Sequence, residues 1–301
     1  MNTSLHQKVL FEMPAVRRRS PLLIVATLAL RLGKLHLRQY ACVKSRKDFT
    51  QPQLMACLVL RAYLKATYRD FCDQLAASSE LREALGLRRV PDSSTLCKFA
   101  AKRRVQEVLE GMLSSLAKEM SATDASNCQE AAMDATGMET TGASTHYRTR
   151  KGLKRKAYMK LSAVVMLGTL IPSAIALDMG PSNDKRCARE LLSKARDAVR
   201  PDVFYADAGY DAEWIHRFCH EEWGTCSVIK PLRHVKGTPG GCYRSRMTES
   251  ALKTLNYTRR WLVESYISGL KRTTGWFLKS RSVASQKVET RCMVLAYALR
   301  R

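Results

Sequence analysis

The sequence predicts an α/β chain in which a mixed-sheet domain follows an all-helical N-terminal region. Three observations lead there. Apolar residues recur at helical spacing as far as Met120. From Glu130 onward, short apolar and β-branched runs alternate with helical stretches. Between the two textures lies the polar stretch Ser121 to Gln129, the expected boundary between a helical domain at 1–128 and a sheet domain at 129–301.

The first fifty residues are basic and mixed without a clean period, which predicts a partly ordered arm. Gln53 to Tyr68 is expected as a helix with Leu54, Leu58, Leu60, Tyr63 and Leu64 on its apolar face. Arg69 to Ala77 and Glu80 to Leu87 read as shorter helices. Pro91-Asp92-Ser93-Ser94 starts another, Thr95 to Arg104, with Asp92 or Ser93 as N-cap. Its Lys98, Lys102, Arg103 and Arg104 suit either a helix lying against DNA or the outer face of a small bundle. Val105 to Met120 completes the helical part.

Beyond the boundary, strands are expected at Glu130 to Met138, Leu161 to Leu167 and Leu170 to Leu177. Gly180 to Asp184 is a turn, with Asn183 or Asp184 capping a helix from Lys185 to Val199. Strand Val203 to Ala206 runs into Asp207-Ala208-Gly209, and Asp211 is the expected cap of a helix from Ala212 to Trp223. Strand Cys226 to Ile229, a loop from Pro231 to Tyr243, and helices Glu249 to Thr273 and Val283 to Arg300 follow. That order is an α/β layer sandwich with a mixed sheet.

With 51 basic against 27 acidic side chains, the chain carries +24. Nucleic acid is the usual partner of such an excess, because each cation on a phosphate releases a condensed counterion. The basic residues cluster. Arg148, Arg150, Lys151, Lys154, Arg155, Lys156 and Lys160 fall in one stretch without an acid. From Lys230 to Arg301, 16 basic residues meet only Glu249, Glu264 and Glu289. Ten cysteines occur with no CxxC, which fits a reducing cytoplasm rather than a secreted scaffold; a DNA-binding chain there is expected at the nucleoid. Arg17-Arg18-Arg19 before Leu22 to Leu30 imitates a signal peptide, but Arg31, Lys34 and Arg38 follow at once. Leu161 to Leu177 is broken by Gly168-Thr169 and Pro172, so no membrane role is expected.

Three acids stand out. Asp134 interrupts an apolar strand, where an unpaired carboxylate costs several kcal/mol; alternatively it opens a turn at Asp-Ala-Thr-Gly. Asp207 ends its strand, where ligand sites of open α/β sheets gather, or is itself a turn residue. On a continuous helix Tyr257, Arg260, Glu264 and Lys271 share a stripe about 60° wide, beside an anchoring row of Val263, Ile267 and Leu270. Converging carboxylates repel unless cations lie between them, and hard oxygen donors select Mg²⁺ or Mn²⁺. Two such ions about 3.5–4 Å apart suit in-line phosphoryl displacement. Arg260 and Lys271 would then hold phosphates, and Tyr257 would offer a hydrogen bond or a stacking face.

In these blocks the chain resembles the DDE transposases of bacterial and archaeal insertion sequences. The likeness runs through Ala131 to Gly137, Tyr205 to Asp211 and Tyr257 to Lys271, the last matching a Y-x2-R-x3-E-x6-K signature, and it reaches back to Pro91. The resemblance implies a ribonuclease-H-like catalytic domain and a metal-binding triad of Asp134, Asp207 and Glu264. It also implies binding to terminal inverted repeats, hydrolytic nicking and strand transfer into target DNA by a dimer. The chain departs from the pattern at Asn183, where relatives often carry His, and the short interval before Glu264 leaves room for only a small insertion. Two rivals remain: a non-catalytic DNA-binding protein whose acids are caps, and another ribonuclease-H-like nuclease that cuts without joining. A decayed, inactive copy is a third. A zinc site from His216, Cys219, His220 and Cys226 is disfavoured, because Cys219 lies off the face the two histidines share.

Overall fold

The computed structural model describes residues 20–140, 150, 157–232 and 240–301. Arg17 to Arg19 and most of the basic stretch after Ser144 lie outside them. Helix α1 spans Pro21–His36, within the stretch expected to be a partly ordered arm. Its Val25, Ala26, Ala29 and Leu32 are fully buried. The helix is apolar nearly all round, so it shows no amphipathic period to read. Helix α2 (Gln51–Tyr63) opens with a capping box: Thr50 accepts from the Gln53 amide, and the Gln53 side chain accepts from the Thr50 amide. Helices α3 (Tyr68–Ala77) and α4 (Ser79–Ala84) follow. Next comes α5 (Ser93–Ala100), capped by Asp92 Oδ1, which accepts from the Ser94 amide at 2.8 Å. Helix α6 runs Arg103–Thr123.

The sheet has five strands in the order β3-β2-β1-β4-β5. They are β1 (Glu130–Glu139), β2 (Tyr158–Met166), β3 (Ile171–Gly180), β4 (Val203–Ala206) and β5 (Cys226–Ile229). β1, β2 and β3 pair antiparallel, whereas β4 lies parallel to β1 and β5 parallel to β4. A three-strand meander extended by parallel strands is the mixed sheet that the sequence predicts. β4 reads as a continuous apolar run because neither face of a central parallel strand meets water. At the β2–β3 turn Gly168 lies against the backbone of Asn127, where a Cβ would come within 2.8 Å of the Asn127 Cα, so only glycine fits. Asn183 caps the turn before α7 (Ala188–Arg196), its Oδ1 accepting from the Lys185 amide at 2.9 Å.

Three further expectations are corrected. Asp211 does not cap α8 (Glu213–Arg217); its carboxylate binds Arg244 instead, at 2.6 Å to Nε and 2.5 Å to Nη2. The helix expected from Glu249 to Thr273 is broken. It divides into α9 (Glu249–Thr254), a 3₁₀ turn at Tyr257–Arg260 and α10 (Trp261–Thr274), with Asn256 in the left-handed region at φ 51°. Asparagine tolerates that conformation better than most residues. The last correction concerns α11 (Val283–Arg300). The chain forms two compact units, and the first comprises residues to Met112, Thr273–Gly275 and Lys279–Arg301. The final helix therefore packs with the helical unit, not with the sheet. The second unit is Leu113–Arg272 with Trp276–Leu278. All ten cysteines are free. Among the described residues no helix is long and apolar enough to cross a membrane.

Candidate active site

Strand pairing brings Asp134 and Asp207 side by side. The parallel ladder of β1 with β4 ends at Met133 opposite Ala206, so Asp134 is the next residue of β1 and Asp207 the first residue past β4. Asp134 does not open a turn, since β1 continues to Glu139 along β2 with Asp134 opposite Ala163. Glu264 lies in the first turn of α10, where a carboxylate complements the helix dipole, and Lys271 and Arg272 lie in the last turn. Val263, Tyr266 and Leu270 are fully buried and anchor this helix. Tyr266 takes the place expected for Ile267, which instead lines a cavity with Asp134, Thr136, Glu264 and Lys271.

Arg260 links two of the acids. Its Nη2 donates to Glu264 Oε1 at 2.5 Å, and its Nη1 lies 3.7 Å from Asp134 Oδ2. Asp134 Oδ1 accepts from the Ala135 amide at 2.7 Å. Burial raises the Asp134 carboxyl above the ordinary carboxylate range; Asp207 and Glu264 push the same way, against the Ala135 amide and Arg260. Tyr257 is half-buried beside Arg260, and burial raises its phenol. Burial lowers the Lys271 ammonium, with Glu139 opposing. The 3₁₀ turn carrying Tyr257 and Arg260 is itself tied down. Arg259 pairs with Glu130, which accepts from the Tyr205 hydroxyl, and that hydroxyl also lies 3.2 Å from the Leu255 carbonyl.

The same region contains an ion pair between Lys160, the last residue of the basic stretch, and Asp184, a candidate helix cap. Lys160 is buried, donates to the Ser182 carbonyl at 2.7 Å, and lies 2.5 Å from Asp184 Oδ1. Asp184 approaches Asp207 across Gly209: a Cβ there would lie 3.0 Å from Asp207 Oδ1 and 3.1 Å from Asp184 Oδ2. Tyr210 is buried, and its phenol is raised by burial and by Asp184, Asp134 and Asp207 together.

The donor set fits a hard divalent cation. Asp207 Oδ1 is buried without a hydrogen-bond partner, and Asp134 and Glu264 share a single bridging guanidinium. Among the described residues, however, no three His, Cys, Asp or Glu side chains converge closely enough to hold an ion in this arrangement. The Arg260 guanidinium occupies the space between Asp134 and Glu264. Of the other expected contact residues, Lys98, Lys102 and Arg150 are exposed, and Arg148 and Lys151 lie outside the described residues.

The histidines and cysteines of the disfavoured zinc site serve packing. His216 is fully buried with Nδ1 2.7 Å from Ser227 Oγ, and burial lowers its pKa to about 4, against Asp211 and Glu213. A histidine buried neutral binds its proton more weakly folded than unfolded. Its contribution is therefore complete above pH ~6.5 and is lost as pH falls towards the folded value. His216→Gln is expected to remove on the order of 2 kcal/mol of the stability lost between pH 7 and pH 5. Urea midpoints measured at both pH values check this, and parallel pH profiles for the two proteins would contradict it.

The transposase DDE domain family matches residues 129–300. The chain belongs to that family, whose proteins act in DNA transposition and recombination. No curated protein sequence matches it. Among solved structures it is similar to a piggyBac transposase in a synaptic complex with hairpin DNA, at 9% identity and a TM-score of 0.44, covering 98% of this chain and 73% of that one.

Proposed function

We propose that this transposase binds the terminal inverted repeats of an insertion sequence as a homodimer at the nucleoid, nicks the DNA there, and joins the freed strand to target DNA. Asp134, Asp207 and Glu264 are the residues that would hold Mg²⁺ or Mn²⁺. What supports the reading is the adjacency of Asp134 and Asp207 at the end of the β1–β4 ladder, with Glu264 lining the same cavity as Asp134. When bound, the ions supply activation of the attacking oxygen and stabilisation of the leaving one.

The chain's own residues do the rest. Arg260 neutralises Asp134 and Glu264 in this arrangement and is positioned to transfer its guanidinium to a phosphate, a ligand that planar N–H donors match well. Lys271, half-buried in the cavity wall, offers a second phosphate contact, and Tyr257 beside Arg260 a hydrogen bond or a stacking face. Lys98 and Lys102 on the exposed side of α5 and its end, with Arg148, Arg150 and Lys151, supply backbone contacts away from the chemistry.

The test is nicking of supercoiled plasmid DNA in Mg²⁺ or Mn²⁺ by the parent and by Glu264→Gln, which keeps shape and removes charge. The variant is expected to be slower by about a thousandfold. Equal nicking by the two proteins would remove this mechanism and favour a DNA-binding protein whose acids are structural.

A further inference from the structure

Trp276 has the least buried indole in the second unit, at 60% exposure, yet its backbone is firmly held. The Glu139 amide donates to the Trp276 carbonyl at 2.7 Å, and the Leu278 amide donates to the Glu139 carbonyl at 2.8 Å. Phe277 thereby bridges Glu139 in parallel, as a short extension of the strand that carries Asp134. Leu278, 1% exposed, anchors the segment from below. The indole therefore stands on fixed backbone, and little ordering entropy remains to be lost when a ligand meets it.

Its location gives the exposure meaning. Of the exposed aromatic residues Trp261, Trp276 and Phe277, Trp276 alone lines the cavity that contains Asp134 and Glu264. Lys271 and Arg272 line the same cavity, whose volume of about 460 Å³ is in the range of small-ligand clefts. An aromatic face flanked by cations, beside carboxylates, is the combination that takes a base together with its phosphate. The ring stacks on the base regardless of its identity, and the cations hold the backbone.

We propose that Trp276 is a base-stacking platform for the DNA strand that enters the carboxylate cavity, holding the nucleotide next to the reacting phosphate. The proposal rests on the transposase reading and adds a positioning residue to it.

The probe is a mixed-sequence DNA duplex ending in a short single-stranded tail of 2-aminopurine, whose fluorescence falls on stacking. Titrated in buffer without Mg²⁺ or Mn²⁺, the parent is expected to quench the tail. Trp276→Ala is expected to bind about tenfold more weakly and to leave the tail unquenched, while Trp276→Phe retains most of both. Because an indole carries no charge, the slope of log Kd against log salt should stay at the parent's value in Trp276→Ala. Lys271→Ala should lower that slope by about one.

Trp276→Ala binding within twofold of the parent with quenching intact would overturn the proposal, as would a fall in salt slope equal to that of Lys271→Ala. Should Trp276→Ala fail to fold, Trp276→Leu against Trp276→Phe decides, since leucine keeps apolar bulk without a stacking face; equal quenching by those two also overturns it. No strand is cut in this assay. Persistent nicking by Glu264→Gln would therefore sink the transposase mechanism while leaving the quenching result intact, and lost quenching would leave the nicking chemistry untouched.

Discussion

Asp134→Asn is expected to lower DNA nicking by about a thousandfold, some 4 kcal/mol of transition-state stabilisation, while making the metal-free protein more stable. The two effects have one cause. Burial and the neighbouring Asp207 and Glu264 raise the Asp134 carboxyl, so at neutral pH its ionised form is held against a cost. An acid whose folded pKa lies above its unfolded value contributes least when ionised in both states. The penalty is absent at low pH and grows as pH rises past the unfolded value. Asparagine keeps the shape and removes the charge, so the gain in stability should be present at pH 7 and vanish in acid. Added Mg²⁺ or Mn²⁺ should raise the thermal midpoint of the parent and leave that of Asp134→Asn nearly unmoved, since ligand binding stabilises only where a site exists. An aspartate acting merely as a structural hydrogen-bond acceptor would behave in the opposite way: the variant would be less stable, and the parent's midpoint would not respond to divalent ions. Scanning calorimetry with and without the ions, alongside plasmid nicking, separates the two cases.

Local features of this fold were legible and long-range ones were not. The run of Val203 to Ala206 reads as a buried strand because a parallel strand covered on both faces is apolar at every position, and β4 has those bounds. The Asp92 cap of α5 is a property of its next two residues, so it too was readable. Helix α1 was not, because apolar residues on nearly every side of it erase the amphipathic period on which helix reading depends. The break at Asn256 went unseen because a single residue in the left-handed region leaves the apolar spacing on either side intact. Asp211 has the sequence signature of a cap, and its use by Arg244 depends on chain that arrives 33 positions later. Lys160 is the last residue of the basic stretch, and only its pairing with Asp184 explains why the fold can bury it. In the site, the strand positions of Asp134 and Asp207 were each legible, but their adjacency depends on the pairing of β1 with the non-consecutive β4, for which the sequence has no local signal. The Arg260–Glu264 contact followed from helical spacing. The tethering of Trp276 to Glu139 had no signal in the sequence, since one bridge residue is too short to have a period.

Arg61→Met is expected to destabilise the helical unit by about 3–5 kcal/mol, a large part of the stability of an ordinary domain. Arg61 on α2 is 3% exposed, and Glu289 on α11 is 5% exposed. Its Nη2 lies 3.5 Å from Glu289 Oε1, its Nη1 donates to the Ala66 carbonyl at 3.1 Å, and its guanidinium covers the Tyr68 ring at 4.3 Å. Glu289 in turn accepts from the Lys279 amide at 3.3 Å and the Ser280 amide at 2.8 Å, so it fixes the approach to α11. Methionine fills much of the arginine's volume but leaves a buried carboxylate with no counter-charge, and that uncompensated charge, more than the lost attraction, sets the size of the effect. The carboxylate can escape the penalty by taking up a proton. The loss measured in urea should therefore shrink as pH falls, and Arg61→Met combined with Glu289→Gln should recover part of it at pH 7. A pH-independent loss, or a double variant as unstable as the sum of the singles, would instead assign the effect to packing against Tyr68, because lost packing is not restored by neutralising a carboxylate on another helix.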